Sequence, residues 1–430
     1  MDPNRFATHS LNDPHLLRIL AAAIDAVDPY KAVQNYLPEL TGPIFGLGIG
    51  KAAIPMMDAL ALSERTPFSG GLAVCKHASV PSRNLYPVIE GGHPVPDARS
   101  LIAGERVLEF VSSLKEDDTL VCLISGGGSA LVIAPYVPLE DLQNLTSLLL
   151  ASGARIDEIN TLRRQLDRIK GGGLARATKA KIISLILSDV IGNPLEAIAS
   201  GPTVPDPTTR EDALDILRKY KLQDQCPMTI YQLLTTAHSS LAGESAQNGY
   251  GGLSRFEQVQ NIIIGDNKLA AQAALEQAKA EGFHVSLITN QLQGEAREVG
   301  VMLANRLRDE ATKRPHPFCL IAGGETTVTI QGSGKGGRNQ ELALAGVNEL
   351  AGAKDVMLIS LATDGDDGPT DAAGAVVTGE SARRAESLGL DAAGSLSRND
   401  AYPFFEALND LLKTGPTETN VNDLVFLIAA

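Results

Sequence analysis

Two glycine-rich turns in the first half of the chain have the composition of anion-binding loops. They read FGLGIGK over residues 45–51 and ISGGGSALV over residues 124–132. Glycines let the backbone approach a ligand closely, and the free amides at a helix N-terminus attract negative charge. Lys51 adds a positive charge to the first turn. The residues predicted to bind substrate or nucleotide here are Gly48, Gly50, Ser125, Gly126, Gly127, Gly128 and Ser129.

Both turns also have structural interpretations that stay open. Glycines in the first can serve tight packing alone, and the second can be a flexible connection between a strand and a helix. The first turn lacks the GxxxxGK[ST] spacing of a P-loop. The second would need glycine in place of Leu131 to form a nucleophile elbow, which argues against acyl transfer.

A cluster of cations precedes a third glycine-rich segment, TLRRQLDRIKGGGLARA, at residues 161–177. We predict a helix near Asn160 to Lys170, which the triple glycine would end. Asp167 can neutralise one cation of this helix, leaving others for an anion. The alternative is a solvated helix face with internal ion pairs. The predicted binding residues of this segment are Arg164, Lys170 and Gly171.

An aliphatic strand ends at Ser188 and Asp189, before a long loop rich in proline and glycine. A carboxylate at the end of a parallel strand lies where α/β proteins bind ligands. Asp189 is therefore predicted to bind magnesium or to orient a reacting hydroxyl. A role as a helix cap is the competing interpretation.

The second half of the chain contributes two further polar loops. GGETTVTIQGSGKGGRNQELALA, at residues 323–345, places strong cations where a helix should begin. Cations oppose the helix dipole there, so this arrangement favours a facing anion. ATDGDDGPTDAAGA, at residues 362–375, lacks the terminal glutamate of a calcium-binding EF-hand, and a magnesium and phosphate role suits it better. The predicted residues are Glu325, Lys335, Gly337, Arg338, Asn339 and Asp364, the last also as a metal ligand.

The elements that position these loops alternate between short aliphatic strands and helices. This alternation predicts an α/β fold with a mostly parallel sheet covered on both faces. A segment rich in glycine, serine and small polar residues separates two halves. We therefore predict an N-terminal domain at residues 1–240, a linker at 241–258 and a smaller α/β domain at 259–430.

Composition limits the partners of the chain. Its net charge of −14 disfavours a nucleic-acid or anionic-membrane surface. No apolar run reaches the roughly 18 residues of a membrane span, and the N-terminal segment does not have the pattern of a signal peptide. We expect a cytoplasmic protein. A homodimer is compatible with the sequence, which does not fix the oligomeric state.

Taken in order, seven motifs resemble the glycerate 2-kinase family with its MOFRL C-terminal domain: GIGKAA, ISGGGSAL, RIKGGGLA, LSDVIGNPLEAIASGPTVPDPTT, GGETTVT, GGRNQELAL and TDGDDGPTDAAGA. A closing NVNDL at residues 420–424 agrees with them. The chain departs from the family pattern at Arg164 and Gln165, where that pattern has a Lys-His pair. The resemblance covers nearly the whole chain. It implies a Rossmann-like N-terminal domain, a smaller C-terminal α/β domain and an active site in the interdomain cleft.

The resemblance also implies a reaction, in which ATP phosphorylates D-glycerate at the 2-hydroxyl and gives 2-phosphoglycerate and ADP. It assigns Lys51 and Arg338 to the reacting phosphoryl group. Phosphoryl transfer needs cations, backbone amides and magnesium-binding carboxylates, which are the groups at these strand ends. Two alternatives stay open: an NAD(P)H-dependent hydroxypyruvate reductase, and a non-catalytic sensor of sugar acids or nucleotides.

Overall fold

The computed structural model describes residues 1–77, 84–236 and 253–430. Its backbone contacts divide the chain into two compact units. The N-terminal unit is Pro29–Ile264, and the C-terminal unit combines Met1–Asp28 with Gly265–Ala430. Each unit contains one sheet, so the predicted α/β fold class is confirmed.

A six-stranded sheet in the order β3-β2-β1-β4-β5-β6 forms the centre of the N-terminal unit, as far as the described residues show. Neighbouring strands from β3 to β5 run parallel, so their carboxyl ends lie at one edge. The central strands are almost continuous runs of aliphatic residues, as expected for a sheet buried on both faces. The strands are β1 (Ile44–Ile49), β2 (Phe68–Cys75), β3 (Val88–Glu90), β4 (Thr119–Ile124), β5 (Lys181–Leu187) and β6 (Val259–Gly265).

Helices follow most of these strands. The helix after β1 extends over Ala53–Ala61. The helices of the N-terminal unit, after α1 (Pro14–Asp25) of the other unit, are α2 (Pro29–Tyr36), α3 (Ala53–Ala61), α4 (Ala98–Ser112), α5 (Gly128–Leu131), α6 (Leu139–Ala151), α7 (Ile156–Gln165), α8 (Gly173–Arg176), α9 (Arg210–Lys219) and α10 (Met228–Thr235).

The C-terminal unit has a mixed sheet in the order β11-β10-β9-β12-β8-β7. Only β7 and β8 pair in parallel; β12 lies antiparallel between β8 and β9. Its strands are β7 (His284–Leu292), β8 (Phe318–Gly324), β9 (Val356–Ala362), β10 (Gly374–Thr378), β11 (Leu411–Leu412) and β12 (Asp423–Ala429). Its helices beyond α1 are α11 (Asn267–Ala280), α12 (Ala296–Ala311), α13 (Arg338–Glu349), α14 (Ser381–Ser387), α15 (Ala392–Ser397) and α16 (Ala401–Leu408).

The N-terminal domain was predicted to begin at residue 1, but the first 28 residues belong to the C-terminal unit. Helix α1 buries its apolar face against α11. Arg18 forms two hydrogen bonds with Glu281, and the carboxylate of Asp410 accepts from Thr8 and Ser10. These partners lie hundreds of residues away along the chain, so no local pattern could indicate them.

The linker was predicted at residues 241–258, and its part up to residue 252 lies outside the described residues. Residues Leu253–Gln258 form a 3-10 helix, and the next strand, β6, joins the first sheet instead of the second. Buried Arg255 fixes this segment by donating to the carbonyl oxygens of Ala175 and Ala180. Among the described residues, every helix is too short or too polar to cross a membrane.

Candidate functional site

The turns after β1 and β4 contact each other at the carboxyl edge of the first sheet. Gly50 has a φ of +126°, and a Cβ at this position would overlap with Ser125. The Lys51 amide donates to the carbonyl oxygen of Gly126 at 2.9 Å, and the Ala52 amide donates to the Ser125 hydroxyl at 3.0 Å. The Lys51 backbone is therefore anchored beside the triglycine turn, and its side chain is exposed. Gly48 has a different role: because it has no side chain, Met57 and Ala53 of the following helix can pack against it.

The end of β5 brings a carboxylate to the same place. A Cβ at Gly126 would overlap with the carboxylate of Asp189, so this glycine permits the acid to lie directly on the turn. Gly127 has a φ of +87°, which favours glycine. The Ser129 hydroxyl lies 2.9 Å from that of Ser200. The residues that were predicted in the turns after β1, β4 and β5 thus lie together at one edge of the sheet.

The loop that supplies Ser200 has an unusual backbone. Ala199 and Ser200 have φ angles of +49° and +58°, values that residues other than glycine rarely adopt. The amide of Gly171 donates to the Ser200 carbonyl at 3.0 Å, and that of Gly172 donates to Gly201 at 2.7 Å. Such conformations persist where the surroundings impose them, and they concentrate at functional sites.

Sequence reasoning missed His93, whose imidazole ring contacts the position that a Cβ of Gly127 would take. Burial, together with the positive charges of Lys51 and Lys76, lowers the pKa of His93 to about 4. A neutral imidazole therefore borders the triglycine turn at physiological pH. The available signal was the GGHPVP segment at residues 91–96, another glycine-rich stretch that follows a strand.

The stability of the chain should fall with falling pH because of His93. Below pH 6.5 the unfolded chain binds a proton at this imidazole, while the folded chain stays neutral down to about pH 4. Urea unfolding of the wild type and of His93→Gln, at pH 7 and at pH 5, measures the contribution. The free energy of unfolding should fall more in the wild type between these two values. Equal losses in both proteins would contradict the lowered pKa.

The prediction of one helix near Asn160 to Lys170 is wrong, because the helix ends earlier. Two of its cations, Arg164 and Lys170, also form ion pairs within the protein. Helix α7 ends at Gln165, so Lys170 and the triple glycine lie beyond it. Gly171 and Gly172 have positive φ angles and lead into α8 instead of capping α7. The helix ends early because the Asp167 carboxylate accepts from the amides of Ala134 and Ile169, which fixes a turn there.

Two of the predicted binding cations have partners within the protein. Arg164 is 8% exposed, and its Nε lies 2.8 Å from Asp206 Oδ1. Lys170 is 3% exposed and donates to the Val132 carbonyl at 2.9 Å, with Asp167 at 3.3 Å. Gln165, at the position where the family pattern differs, also donates to Asp206. Arg164 and Gln165 hold the loop around Asp206 in place.

The C-terminal unit presents its own cation, Arg338, as the first residue of α13. Its Nε and Nη2 donate to the two carboxylate oxygens of Asp423 at 2.6 and 3.1 Å, and Nη1 donates to Glu325 at 2.5 Å. Burial lowers the pKa of Arg338, but the carboxylates of Asp423 and Glu325 raise it by more. The guanidinium is thus charged and held in one orientation.

The start of this helix has a partner within the protein, the Asp367 carboxyl group, whose pKa burial raises to about 7. Asp367 accepts from the amides of Asn339 and Gln340 at 3.1 and 2.9 Å. Gly337 is needed because a Cβ there would overlap with Asp367. Asn339 is 1% exposed and accepts from the Ser360 hydroxyl at 2.6 Å, so it supports the helix.

Two other predicted residues of this unit lie at its surface. Lys335 Nζ lies 3.8 Å from the centre of the Tyr402 ring. Asp364 is partly exposed and accepts from the Asp366 amide at 3.3 Å. Within the described ranges, no three His, Cys, Asp or Glu side chains are grouped closely enough to hold a metal alone.

Family models match two regions of the chain. One is described as a domain of unknown function, DUF4147, and matches residues 15–235, and the MOFRL family matches residues 318–423. Full-length relatives extend this match. Glycerate 2-kinase from Pyrococcus horikoshii is 39% identical over 431 residues, covering 96% of each protein. A putative hydroxypyruvate reductase from Agrobacterium vitis is 39% identical over 419 residues, covering 95% of this chain and 92% of the relative.

The likeness extends to three dimensions. D-glycerate 2-kinase from Thermotoga maritima is 41% identical over 427 residues, covering 96% of this chain and 98% of the relative. A crystal structure of glycerate kinase from the same organism superposes with a TM-score of 0.85 at 40% identity, covering 96% and 98% of the two chains. With this likeness in sequence and in fold over nearly its whole length, the chain belongs to the glycerate 2-kinase family.

Proposed function

We propose that this protein transfers the γ-phosphoryl group of ATP to the 2-hydroxyl of D-glycerate, giving 2-phosphoglycerate and ADP. One observation carries the assignment: a lysine, a glycine-rich turn and a carboxylate meet at the ends of β1, β4 and β5. Phosphoryl transfer depends mainly on positioning and on charge stabilisation, and these are the groups that provide both.

Each group has a role in this reaction. The glycerate 2-oxygen attacks the γ-phosphorus, the bond from that phosphorus to the ADP oxygen breaks, and the hydroxyl proton passes to solvent water. Lys51 stabilises the negative charge on the transferred group. Asp189 orients the attacking hydroxyl or holds the metal. Arg338 supplies the second positive charge that the resemblance assigns to the phosphoryl group, while Asp423 and Glu325 keep its guanidinium oriented.

Magnesium fits the residues of the chain. Kinases bind this ion through one or two carboxylates together with substrate phosphates, so a dense cluster of protein ligands is not required. The open backbone at Gly126 leaves the Asp189 carboxylate close to the turn where phosphates are proposed to bind. Asp189 would hold magnesium there, and the ion would neutralise charge on the phosphates.

The activity is tested with the purified full-length chain. ADP release should require D-glycerate, ATP and magnesium together, and phosphorus NMR should identify 2-phosphoglycerate as the product. The name of the Agrobacterium relative makes hydroxypyruvate reduction the rival activity. Oxidation of NADH by hydroxypyruvate without ADP release would overturn the kinase assignment. Nucleotide or glycerate binding without either turnover would favour the sensor.

Asp189→Asn should reduce turnover strongly while preserving the fold, since it keeps the shape of the side chain and removes its charge. The apparent affinity for magnesium should fall with it. The measurement is kcat as a function of magnesium concentration, with thermal unfolding as the check on folding. Asp215→Asn, on the exposed face of α9, is the control. Unchanged turnover and magnesium dependence would mean that Asp189 has a structural role only.

A further inference from the structure

A pocket of about 250 Å³ lies within the N-terminal unit, next to the triglycine turn. Ser129, the first residue after the three glycines, lines it on one side. Most of the lining is apolar, with contributions from Val95, Ile133, Leu142 and Leu150. Its volume lies just below the usual range for small-molecule sites, about 300 to 1,000 Å³, so it suits one ring system better than a whole nucleotide.

Arg163 is the charged group that distinguishes this pocket. Its guanidinium donates to Asn160 Oδ1 at 3.3 Å and, within the described part of the chain, forms no ion pair. The other two charged residues in the lining, Lys170 and Asp167, are paired with each other. The other N–H groups of this guanidinium have no acceptor among the described residues, so they are available to a ligand in the pocket.

An acceptor in the lining complements this donor. Gln143 directs its amide nitrogen to the Pro96 carbonyl at 2.8 Å, which leaves its amide oxygen available to accept. A ligand that fills the pocket should therefore be flat and largely apolar, accept hydrogen bonds from Arg163 and donate to Gln143. An adenine ring has ring nitrogens that accept and an amino group that donates. The carboxylate of glycerate could bind Arg163, but glycerate has no apolar surface for the aliphatic walls.

We propose that this pocket binds the adenine ring of the nucleotide, with Arg163 donating to the base and the phosphates leading from Ser129 to the triglycine turn. The inference rests on the proposed kinase function for the presence of a nucleotide. It changes the role of the cation segment: Arg163 contacts the ligand, whereas Arg164 and Lys170 support the surrounding loops.

The chain has no tryptophan, so a single introduced indole can report on the pocket. Leu150 is 63% exposed and lines the pocket, while Ile156 is 65% exposed and lies outside its lining. In Leu150→Trp, adenosine should change the fluorescence with saturation, and tripolyphosphate should not. The matched control Ile156→Trp should not respond to either probe. Adenosine lacks phosphates, so the measurement does not depend on turnover.

Adding Arg163→Gln to Leu150→Trp should weaken adenosine binding by about ten- to a hundredfold, the effect of losing hydrogen bonds from a charged donor. In the otherwise wild-type chain, Arg163→Gln should raise the KM for ATP by a similar factor and leave the KM for glycerate unchanged. Arg155→Gln, an exposed arginine before the same helix, is the control and should change neither value.

Three results would overturn the proposal: no saturable response to adenosine, a response to tripolyphosphate or glycerate alone, or a rise only in the KM for glycerate. The last two would identify the pocket as an anion or substrate site. The two proposals can fail separately. Adenosine binding in a chain that does not phosphorylate glycerate would refute the kinase function alone. Full kinase activity with no adenosine response would refute the adenine pocket alone.

Discussion

Replacing Lys51 with alanine is expected to lower kcat by about two to four orders of magnitude, the scale of losing one preorganised charge contact in a transition state. The Lys51 side chain is exposed and makes no contribution to the apolar core, so the fold should remain intact. Its backbone amide still donates to Gly126 in the variant. The expected defect is therefore one of catalysis and not of stability.

The measurement is steady-state turnover with ATP and D-glycerate both saturating, together with the thermal unfolding temperature. Lys181→Ala is a matched control, because this exposed lysine begins β5 at the opposite end of the strand from Asp189. The control should keep the activity of the wild type. Near wild-type turnover in Lys51→Ala would remove Lys51 from the reacting group.

Arg338→Lys is expected to lower kcat by about a hundredfold or more, although it preserves the charge. Arg338 uses one edge of its guanidinium to bind both oxygens of Asp423, and Nη1 reaches Glu325. A lysine ammonium cannot make this two-point contact and also face a phosphoryl group in a fixed direction. Nucleotide binding in the N-terminal unit should change comparatively little.

Arg297→Lys provides a control of similar environment for this substitution. The Arg297 side chain is 22% exposed and pairs with buried Glu341, whereas that of Arg338 is 32% exposed and pairs with buried Asp423. Both variants should lose similar stability, but only Arg338→Lys should lose turnover. If kcat falls equally in the two variants, the effect of Arg338 is structural.

Much of the site was predictable because its parts are short segments read along the chain. A buried aliphatic run followed by glycine and Lys51 predicts a strand, a turn and a helix, and each of these forms as expected. Asp189 follows such a run as well. Strands that run in parallel bring their carboxyl ends to one edge, so the meeting of these segments also follows from the pattern.

The pairing of the charged groups was not predictable in this way. Arg164 lies beside Asp206, which is 42 positions away, and Arg338 lies beside Asp423, which is 85 positions away. His93 reaches the triglycine turn from another strand end, and Arg163 forms no ion pair among the described residues although its neighbour Arg164 does.

The sequence by itself therefore determined which segments end in ligand-binding turns and which residues those turns contain. Local hydrophobic patterns and backbone preferences depend on neighbours within a few positions, and these are readable from one chain. Only the tertiary structure decided which cations are neutralised by the protein and which face an open pocket. Each cation in a cluster has the same intrinsic charge. Its availability to a ligand depends on whether the fold places a carboxylate within hydrogen-bonding distance. Among the described residues, this is so for Arg164 and not for Arg163.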